Sequence, residues 1–323
     1  MKNRNQSQVS PKVSVIIPCF NGRETICRTL DAVCSQVADF EFEVIVIDSS
    51  NDGTDRIIQN EFPKVRLIHL NQQTLPGSGR NLGIQNATGE LLVFTDADAV
   101  PEPDWLKRIA DLHQKIETDA VGGSVINGYP HSLTAWVSHL IEFNEWTAHT
   151  PAGFVLNNPS VNISYKSQVF SKYKLCFSDI FPSEDTIFNR ALVDRGGRIY
   201  YDPSVRVIHL SRVGLFTLFR HQLRLGQAAV KARTLSSLPG KIFMKYRWLC
   251  VILPPIRWVR ASLRLLRYER KQLILFWLLT PLYLGAAAAW AVGFMQRKEF
   301  HDPKIWLNGC DWYVPEGNRK GTI

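Results

Sequence analysis

The stretch Glu90-Leu91-Leu92-Val93-Phe94-Thr95-Asp96-Ala97-Asp98 decides the fold. Its first part is a short, continuous apolar run, which predicts a buried strand. Ligands of open α/β sheets bind at the carboxyl ends of the strands. Two carboxylates directly after a buried strand therefore indicate both a sheet and its binding edge. They are also spaced to share a divalent cation, although a solvated acidic turn is the structural alternative.

Similar strand patterns lie on both sides of this stretch, separated by helical patterns. Buried strands are predicted at 13–17, 42–47, 65–70, 90–95 and 120–126, and helices at 23–37, 52–62, 79–86 and 103–117. This alternation predicts an α/β domain built on an open parallel sheet that is covered on both faces. Farther along, the pattern predicts helices at 131–148, 184–195 and 214–235, and two short strands within 198–209.

Positive charge is concentrated in one block of the chain. The net charge is +9, but residues 195–271 alone contain 17 Lys or Arg and only two acids. Such a block indicates a polyanionic partner, either nucleic acid or anionic lipid. Residues 272–296 follow it without a single charge. At ~1.5 Å per residue, 273–295 can span a ~30 Å hydrocarbon core. This order favours anionic lipid over nucleic acid and places the block on the cytoplasmic side. A buried core helix is the alternative interpretation of 272–296.

The remaining features give the expected organisation and compartment. Residues 1–11 are polar and are not a signal peptide, so we expect the body of the protein in the cytoplasm. Six cysteines without CxxC spacing indicate free thiols in a reducing compartment. The predicted segments are a flexible leader (1–11), an α/β domain (12–212), a basic interfacial segment (213–271), a transmembrane helix (272–296) and a tail (297–323).

Two further polar motifs follow predicted strands. Asp48 ends the second strand, where it can accept a hydrogen bond from a base N–H, and Asp52 can cap the next helix. An ordinary capped turn is the alternative. The motif Gly77-Ser78-Gly79-Arg80-Asn81-Leu82-Gly83 has the wrong spacing for a dinucleotide fingerprint. We interpret it as a flexible loop that brings Arg80 to a diphosphate, and a helix start with ordinary surface charge is the alternative.

Taken in order, these motifs resemble the family 2 glycosyltransferases. The matching segments are 15–21, Asp48…Asp52-Gly53-Thr54, Arg80-Asn81-x-Gly83, Asp96-Ala97-Asp98, Ser183-Glu184-Asp185 and 197–209. The resemblance covers roughly 13–235. It implies the GT-A fold, an α/β open mixed sheet with helices on both faces. It also implies an inverting transfer of a hexosyl or related sugar from a nucleotide-sugar, assisted by Mg²⁺ or Mn²⁺. Interfacial helices and the transmembrane helix would follow this domain.

The resemblance also implies roles for individual residues. The implied donor-site residues are Pro18, Phe20, Asn21, Asp48, Asp52, Arg80, Asn81 and Asp96. The implied metal positions are Asp96, Asp98 and His209, with Asp98 the direct ligand. A structural histidine is the alternative at the last of these.

Glu184-Asp185 matches the family's catalytic pair, in which Asp185 is the general base. An inverting transfer needs a base opposite the leaving group to take the proton of the acceptor hydroxyl. That base has to come from outside the metal turn, which agrees with the place of Asp185 in the downstream half. Acids in a first helical turn also stabilise any helix, and this is the structural alternative.

The acceptor side is the part that departs from the family pattern. Residues 157–166 resemble the family's acceptor-side strand and make Asn162 a candidate contact. The family's Gly-Gly-Phe-Asp-like turn is replaced by Leu175-Cys176-Phe177-Ser178-Asp179. Arg224, in the basic helix, is a candidate for binding phosphate or a lipid headgroup.

The expected acceptor is a lipid-linked sugar or a glycan, met at the inner cell membrane by a cytoplasmic catalytic domain. One span builds no channel, so a processive polysaccharide synthase is not expected. A nucleotidyltransferase and a non-catalytic, membrane-bound nucleotide-sugar sensor remain the alternative functions.

Overall fold

The computed structural model describes residues 13–211 and 213–296, and the predicted leader and tail lie outside them. The strands are β1 Val13–Cys19, β2 Phe42–Asp48, β3 Arg66–His69, β4 Leu91–Phe94, β5 Ala99–Pro101, β6 Ala120–Asn127, β7 Gly153–Val155, β8 Ile163–Lys166 and β9 Ile199–His209. The helices are α1 Ile26–Cys34, α2 Thr54–Glu61, α3 Pro76–Asn86, α4 Trp105–Lys115, α5 Leu133–Glu142, α6 Gln168–Lys172, α7 Glu184–Asp194, α8 Leu215–Leu235, α9 Ile242–Lys245, α10 Leu253–Tyr268, α11 Arg270–Leu278 and α12 Thr280–Met295. Short 3₁₀ segments lie at Ser160–Asn162 and Arg247–Ile252.

The strands form one nine-stranded mixed sheet in the order β3-β2-β1-β4-β8-β6-β9-β5, with β7 paired to β9. The four strands β3, β2, β1 and β4 run parallel, as their apolar character predicts. β8 is antiparallel to both β4 and β6. The prediction of an all-parallel sheet was therefore wrong, and the mixed sheet implied by the resemblance is confirmed.

Helices cover both faces of this sheet. In β1, Val13, Val15 and Ile17 belong to one buried cluster, which also takes in residues of α1, α2 and α4. Ile16 belongs to a second cluster with residues of α3, α6 and α7. Alternate residues of a strand point to opposite faces, so the apolar run of β1 has to be covered twice. This is why the buried strands read as continuous apolar runs.

The region predicted as two short strands is the single long strand β9. It runs parallel to β6, and the register shifts between Gly123 and Ser124, opposite the middle of β9. A bulge of this kind bends a strand without ending it. Pro203 and Ser204 therefore lie within β9, where the sequence suggested a break.

The C-terminal helices pack on one another and on α5. α8 and α12 cross with their backbones nearly in contact. A Cβ on Gly226 would lie 2.0 Å from the carbonyl oxygen of Trp290, and one on Gly293 would lie 2.0 Å from that of Leu223. Residues without a side chain permit such a close approach. The apolar helix α12 is therefore attached directly to the basic helix α8.

The predicted transmembrane helix at 272–296 was wrong as a single element. In the described part of the chain, no one helix is long and apolar enough to cross a membrane. α11 and α12 meet these requirements only as a pair, and they are bent by 78° at their junction. Pro281 lies in the first turn of α12. Proline has no N–H to donate and disfavours helix in the residue before it, so α11 ends at Leu278.

Candidate active site

Several polar side chains lie at the carboxyl ends of neighbouring parallel strands. Cys19, Asp48 and His69 are aligned in one row across β1, β2 and β3. Asp96 and Asp98 follow β4, the neighbour of β1 on its other side. Because these strands are parallel, their carboxyl ends form one edge of the sheet. The fold therefore brings together polar side chains that lie up to 50 residues apart.

Arg80 lies at the centre of the site. Its Nη1 donates to Oε1 of Glu184 at 2.5 Å, and its Nη2 donates to Oδ1 of Asp96 at 2.7 Å. The guanidinium side chain is only 2% exposed. One cation therefore joins the acidic turn after β4 to the first turn of α7. The approach of Arg80 to a diphosphate stays a prediction.

The glycines around Arg80 explain its position. The predicted flexible loop was wrong, because residues 77–83 belong to α3. A Cβ on Gly83 would lie 2.3 Å from Cγ2 of Ile16, and one on Gly79 would lie 3.3 Å from Cβ of Pro18. These glycines let α3 lie directly against β1. The close approach brings Arg80 to the end of β4.

The charges around Arg80 are unbalanced. Burial opposes the charged form of Arg80, but Asp96, Glu184 and Asp185 outweigh this effect and raise its pKa. Burial raises the pKa of Glu184 and of Asp96, against the attraction of Arg80. The neighbouring Asp98 raises the pKa of Asp96 further. The site thus holds more negative charge than its one arginine neutralises.

Asp98 faces His209 across the turn that follows β4. Nε2 of His209 lies 3.5 Å from Oδ1 of Asp98, and Nδ1 of His209 lies 2.9 Å from the hydroxyl of Ser211. The backbone holds this arrangement, because the N–H of Leu210 donates to the carbonyl of Asp98 at 2.7 Å. β5 and β9 pair at Ala99 and His209. The structure therefore brings His209 to the acidic turn, as the resemblance implied.

These residues fit a divalent cation that is shared with a substrate. Within the described residues, no group of three or more His, Cys, Asp or Glu side chains is arranged to hold a metal ion. Mg²⁺ in phosphoryl sites typically uses one or two carboxylates and takes its other ligands from water and substrate phosphates. Asp98, with His209 beside it, offers this kind of partial ligand set. The excess negative charge around Arg80 also suits a cation.

Asp185 is held in place at the start of α7. Its Oδ2 accepts a hydrogen bond from the N–H of Ser160 at 3.0 Å, and its Oδ1 accepts one from the N–H of Thr186 at 2.6 Å. Ser183, just before the acidic pair, has a φ of 131°. A backbone strained in this way is found most often at functional sites. Asp185 is half-buried, next to the Glu184 carboxylate that binds Arg80.

The loop after β1 forms the other side of the cleft. Oδ1 of Asn21 accepts from the N–H of Asn51 at 3.1 Å, and the N–H of Asn21 donates to the hydroxyl of Ser50 at 2.7 Å. Asn21 has a φ of 52°, a conformation that asparagine tolerates better than most residues. Phe20 is exposed and Pro18 half-buried beside it. Their proposed contact with a nucleotide stays a prediction.

Asp48 is less accessible than a residue that contacts a base directly. Its side chain is 0% exposed. Oδ1 accepts from the hydroxyl of Ser50 at 2.5 Å, and Oδ2 lies 2.7 Å from Nδ1 of His69. The partly exposed His69 side chain contacts this carboxylate, and the expected contact of Asp48 with a base stays a prediction. Asp52 accepts from the N–H and hydroxyl of Thr54, the first residue of α2.

Two asparagines that we predicted near substrates have structural partners. The Asn162 amide is buried, accepts from the indole N–H of Trp105 and donates to the carbonyls of Ser124 and Val205. Its assignment to the acceptor side stays a prediction. Asn81 donates to the carbonyl of Phe177 at 2.8 Å and accepts from its N–H at 2.9 Å. It holds the segment that replaces the family's turn, and its part in donor binding stays a prediction.

The sequence analysis missed His69 and Ser160. His69 lies at the end of the third predicted strand, as Asp48 lies at the end of the second. This shared position in the sequence pattern could have identified His69 as a candidate site residue. Ser160 gave no such signal, because its contribution is a backbone N–H. Arg224 is exposed on α8, and its phosphate or headgroup contact stays a prediction. α8 is joined to α5 through Gln222, whose amide donates to Glu142 at 2.8 Å.

Comparison with known proteins gives a consistent set of relatives. Residues 14–175 match the family described as glycosyl transferase family 2. Glycosyltransferase AglE of Haloferax volcanii is 36% identical over 130 residues, which are 39% of this chain and 43% of that protein. A Methanococcus voltae protein, named dolichyl N-acetyl-alpha-D-glucosaminyl phosphate 3-beta-D-2,3-diacetamido-2,3-dideoxy-beta-D-glucuronosyltransferase, is 24% identical over 67% of this chain and 72% of its own length.

Solved structures show the same fold. The mannosyltransferase PcManGT from Pyrobaculum calidifontis, in complex with GDP-Man and Mn²⁺, superposes with a TM-score of 0.59 at 21% identity, covering 90% of this chain and 89% of that one. S. aureus TarS superposes with a TM-score of 0.51 at 17% identity, covering 91% and 95%. These are glycosyltransferases of known structure, and at such identities the likeness concerns the fold.

Proposed function

The chain belongs to glycosyl transferase family 2 and is a glycosyltransferase, and we propose that it inverts the anomeric centre of the sugar that it transfers. The proposed donor is a nucleotide-diphospho-sugar, and the proposed acceptor is a hydroxyl of a lipid-linked sugar or a polysaccharide. Asp185 is the proposed general base, and Mg²⁺ or Mn²⁺ the proposed cofactor.

One observation carries this proposal: Arg80 links Asp96 to Glu184. One nitrogen of the guanidinium contacts the proposed metal turn at Asp96, and the other contacts Glu184, next to the proposed base. An inverting displacement needs the leaving group and the base on opposite faces of the anomeric carbon. Asp98 lies two residues after Asp96 and Asp185 directly follows Glu184, so Arg80 joins the two segments that carry the proposed metal ligand and the proposed base.

In the proposed reaction, Asp185 takes the proton of the acceptor hydroxyl. The acceptor oxygen attacks the anomeric carbon, the bond from that carbon to the diphosphate oxygen breaks, and the nucleoside diphosphate leaves with the bonding electrons. A bound divalent cation supplies neutralising charge to the leaving diphosphate. Asp98 and His209 would hold it. Arg80 keeps Asp96 and Glu184 in place and adds positive charge close to the reaction.

The acceptor class is inferred from the relatives. The Methanococcus voltae protein is named for a dolichyl-linked sugar phosphate, and ExoO of Rhizobium meliloti, 31% identical over 63% of this chain and 62% of its own length, is named for succinoglycan biosynthesis. Both names concern saccharides that are built on lipids or into polymers. We infer an acceptor of the same kind for this chain.

The surface of the C-terminal helices supports attachment to a membrane. More than half of the large apolar side chains that are exposed lie in 213–296. On α10, Ile256, Val259, Leu263 and Leu266 are exposed at the spacing of one helical face. Arg260 and Arg267 are exposed on the same helix. An apolar stripe with arginines is typical of helices that lie in the plane of an anionic membrane.

We therefore propose that the protein lies on the inner cell membrane, with its catalytic domain on the cytoplasmic side. α10 and α11 would lie at the lipid interface, where the chain would meet a lipid-linked acceptor. On α11, Ile274, Trp277 and Leu278 add to the exposed apolar surface. This attachment needs no single spanning helix.

The alternative functions differ in chemistry from sugar transfer. A nucleotidyltransferase would release inorganic pyrophosphate or transfer a nucleotide. A nucleotide-sugar sensor would bind the donor and leave it intact. The residues around Asp185 favour transfer, because a sensor has no use for a base held by Ser160 across from the metal turn.

A panel of nucleotide-sugars tests the proposal. The purified protein in detergent or vesicles is incubated with each nucleotide-sugar and MnCl₂, and the released nucleoside diphosphate is measured. We expect one donor to be consumed with Mn²⁺ and not with EDTA. The Asp98→Asn variant should lose most of this turnover, and Asp104→Asn, at the half-buried residue just before α4, should keep it. Release of pyrophosphate, or binding without turnover for every donor, would contradict the proposal.

A further inference from the structure

We propose that His69, and not Asp48 itself, reads the hydrogen-bonding edge of the donor's nucleobase, and that it selects bases that carry a ring N–H next to a carbonyl group. The inference rests on the proposed function, because it concerns the base end of the same donor site. It assigns a specificity-determining residue that the motifs do not contain.

The first step is the place of His69 in the sheet. Cys19, Asp48 and His69 form one row at the carboxyl ends of β1, β2 and β3. Strands in a sheet lie about 4.8 Å apart, so His69 lies one strand beyond Asp48 along the binding edge. Phe20 follows Cys19 directly and is exposed at the same edge. A base that contacts Phe20 would extend along this row toward His69.

The second step is that Asp48 is enclosed by its partners. Its carboxylate is buried and accepts from both the N–H and the hydroxyl of Ser50. Its remaining oxygen face is used by Nδ1 of His69, at 2.7 Å. The side chain of His69 is 29% exposed, in contrast to 0% for Asp48. A ligand at this edge therefore meets the imidazole first.

The third step fixes the tautomer of the imidazole. An ionised carboxylate only accepts hydrogen bonds, so the Nδ1 atom that faces Asp48 has to carry a proton. In the neutral ring this leaves Nε2 as an acceptor. Nε2 has no hydrogen-bond partner among the residues at 13–211 and 213–296. Asp48 thus holds His69 as an exposed acceptor.

The fourth step matches this acceptor to a base. Uracil and guanine carry a ring N–H between or beside carbonyl groups, and this N–H can donate to Nε2. Cytosine and adenine have an unprotonated ring nitrogen at the corresponding position, which would face Nε2 with a second acceptor. A site that is built to receive an N–H discriminates against analogues that lack it. The expected donors are therefore uridine or guanosine diphospho-sugars.

Binding of the four nucleoside diphosphates tests the inference without any need for an acceptor. Affinities of UDP, GDP, CDP and ADP are measured by calorimetry on the full chain with MnCl₂. We expect UDP or GDP to bind at least about tenfold more tightly than CDP and ADP, the effect of one hydrogen bond. His69→Leu should remove this preference by weakening the binding of the preferred nucleotide. The affinities of CDP and ADP should stay unchanged.

Two further variants make the test decisive. His69→Asn keeps a donor for Asp48 but is too short to reach the base, so it should also lose the preference and remains informative if His69→Leu does not fold. His149→Leu is the matched control, because Nδ1 of His149 lies 2.7 Å from Glu269, a carboxylate outside the donor site. This control should keep the wild-type preference.

The outcomes separate the inference from the proposed function. If UDP or GDP binds with an unchanged preference in both His69 variants, the inference about His69 is wrong and the proposed function stands. Equal affinities of all four nucleotides in the wild type would contradict it in the same way. If none of the four binds with Mn²⁺, the proposed function fails, and the inference fails with it.

Discussion

Arg80 shows how much of the site depends on contacts between distant residues. It is separated from Glu184 by 104 residues in sequence, and the two are joined at 2.5 Å. The sequence predicts the acidic turn at Asp96 and the acidic pair at 184–185 from their places after a strand and before a helix. It does not predict that one guanidinium lies between them, because a pairing over this distance leaves no local pattern.

Asp48 and Asn162 illustrate the same limit. Their residue types and places in the chain fit contacts with a base and with an acceptor. The structure instead gives Asp48 to Ser50 and His69, and Asn162 to Trp105. The role of a polar side chain depends on its hydrogen-bond partners, and His69 and Trp105 lie in other elements of the fold. Asp98 and Asp185, whose local surroundings are sufficient to place them, lie where the motifs predicted.

Substitution of Arg80 should cost stability as well as activity. Arg80→Met leaves the buried Glu184 and the half-buried Asp96 without their cation. Loss of one partner from a buried ion pair costs about 3–5 kcal/mol, so urea unfolding should show a decrease of this size. The matched control is Arg190→Met, which breaks a more exposed pair with Asp194 on α7 and should cost about 0–1 kcal/mol. Equal losses in the two variants would show that Arg80 does not hold the site together.

The helices show a different limit of sequence reasoning. The uncharged run at 272–296 predicts one long helix by length and composition, and it is divided at Leu279 by the proline that follows. Five alanines and two glycines in α12 are also the residues that allow two helices to pack closely. Composition alone does not distinguish packing against lipid from packing against α8. The buried strands β1, β2, β3, β4 and β6 were more predictable, because continuous apolar runs require burial on both faces.

The crossing of α8 and α12 should be sensitive to a single methyl group. Gly226→Ala places a Cβ only 2.0 Å from the carbonyl oxygen of Trp290. The helices must separate, and overpacking of this kind typically costs about 1–3 kcal/mol, to be measured by urea unfolding. Gly153→Ala is the control, because a Cβ there meets no atom within 4 Å. A Gly226→Ala protein as stable as this control would mean that the helices do not pack as described.

The whole molecule is an α/β glycosyltransferase domain joined to a basic and apolar surface. α8 connects the two, since it contacts α5 through Gln222 and α12 through Gly226. The arrangement explains why the charge of the chain is so uneven. The catalytic body carries the acids that the reaction needs, and the C-terminal helices carry the arginines that an anionic surface attracts.

Vesicle binding tests this division of the molecule. We expect the protein to float with vesicles that contain phosphatidylglycerol, and less with vesicles of phosphatidylcholine alone. Leu263→Glu and Leu266→Glu together should weaken binding at least about tenfold, because each buried leucine contributes about 1.5–3 kcal/mol. Val37→Glu, at an exposed apolar residue of the catalytic body, is the control. Undiminished flotation of the double variant would place the membrane-binding surface elsewhere.

The central claim is that Asp185 removes a proton from the nucleophile while the metal turn holds the leaving diphosphate. It is tested most directly by single-turnover cleavage of the preferred nucleotide-sugar by the wild type and by Asp185→Asn, with nucleoside diphosphate affinity measured in parallel. We predict a loss in rate of about 10²–10⁴-fold with affinity unchanged, and a normal rate for Asp194→Asn at the other end of α7. An Asp185→Asn enzyme that cleaves its donor at the wild-type rate would contradict the claim.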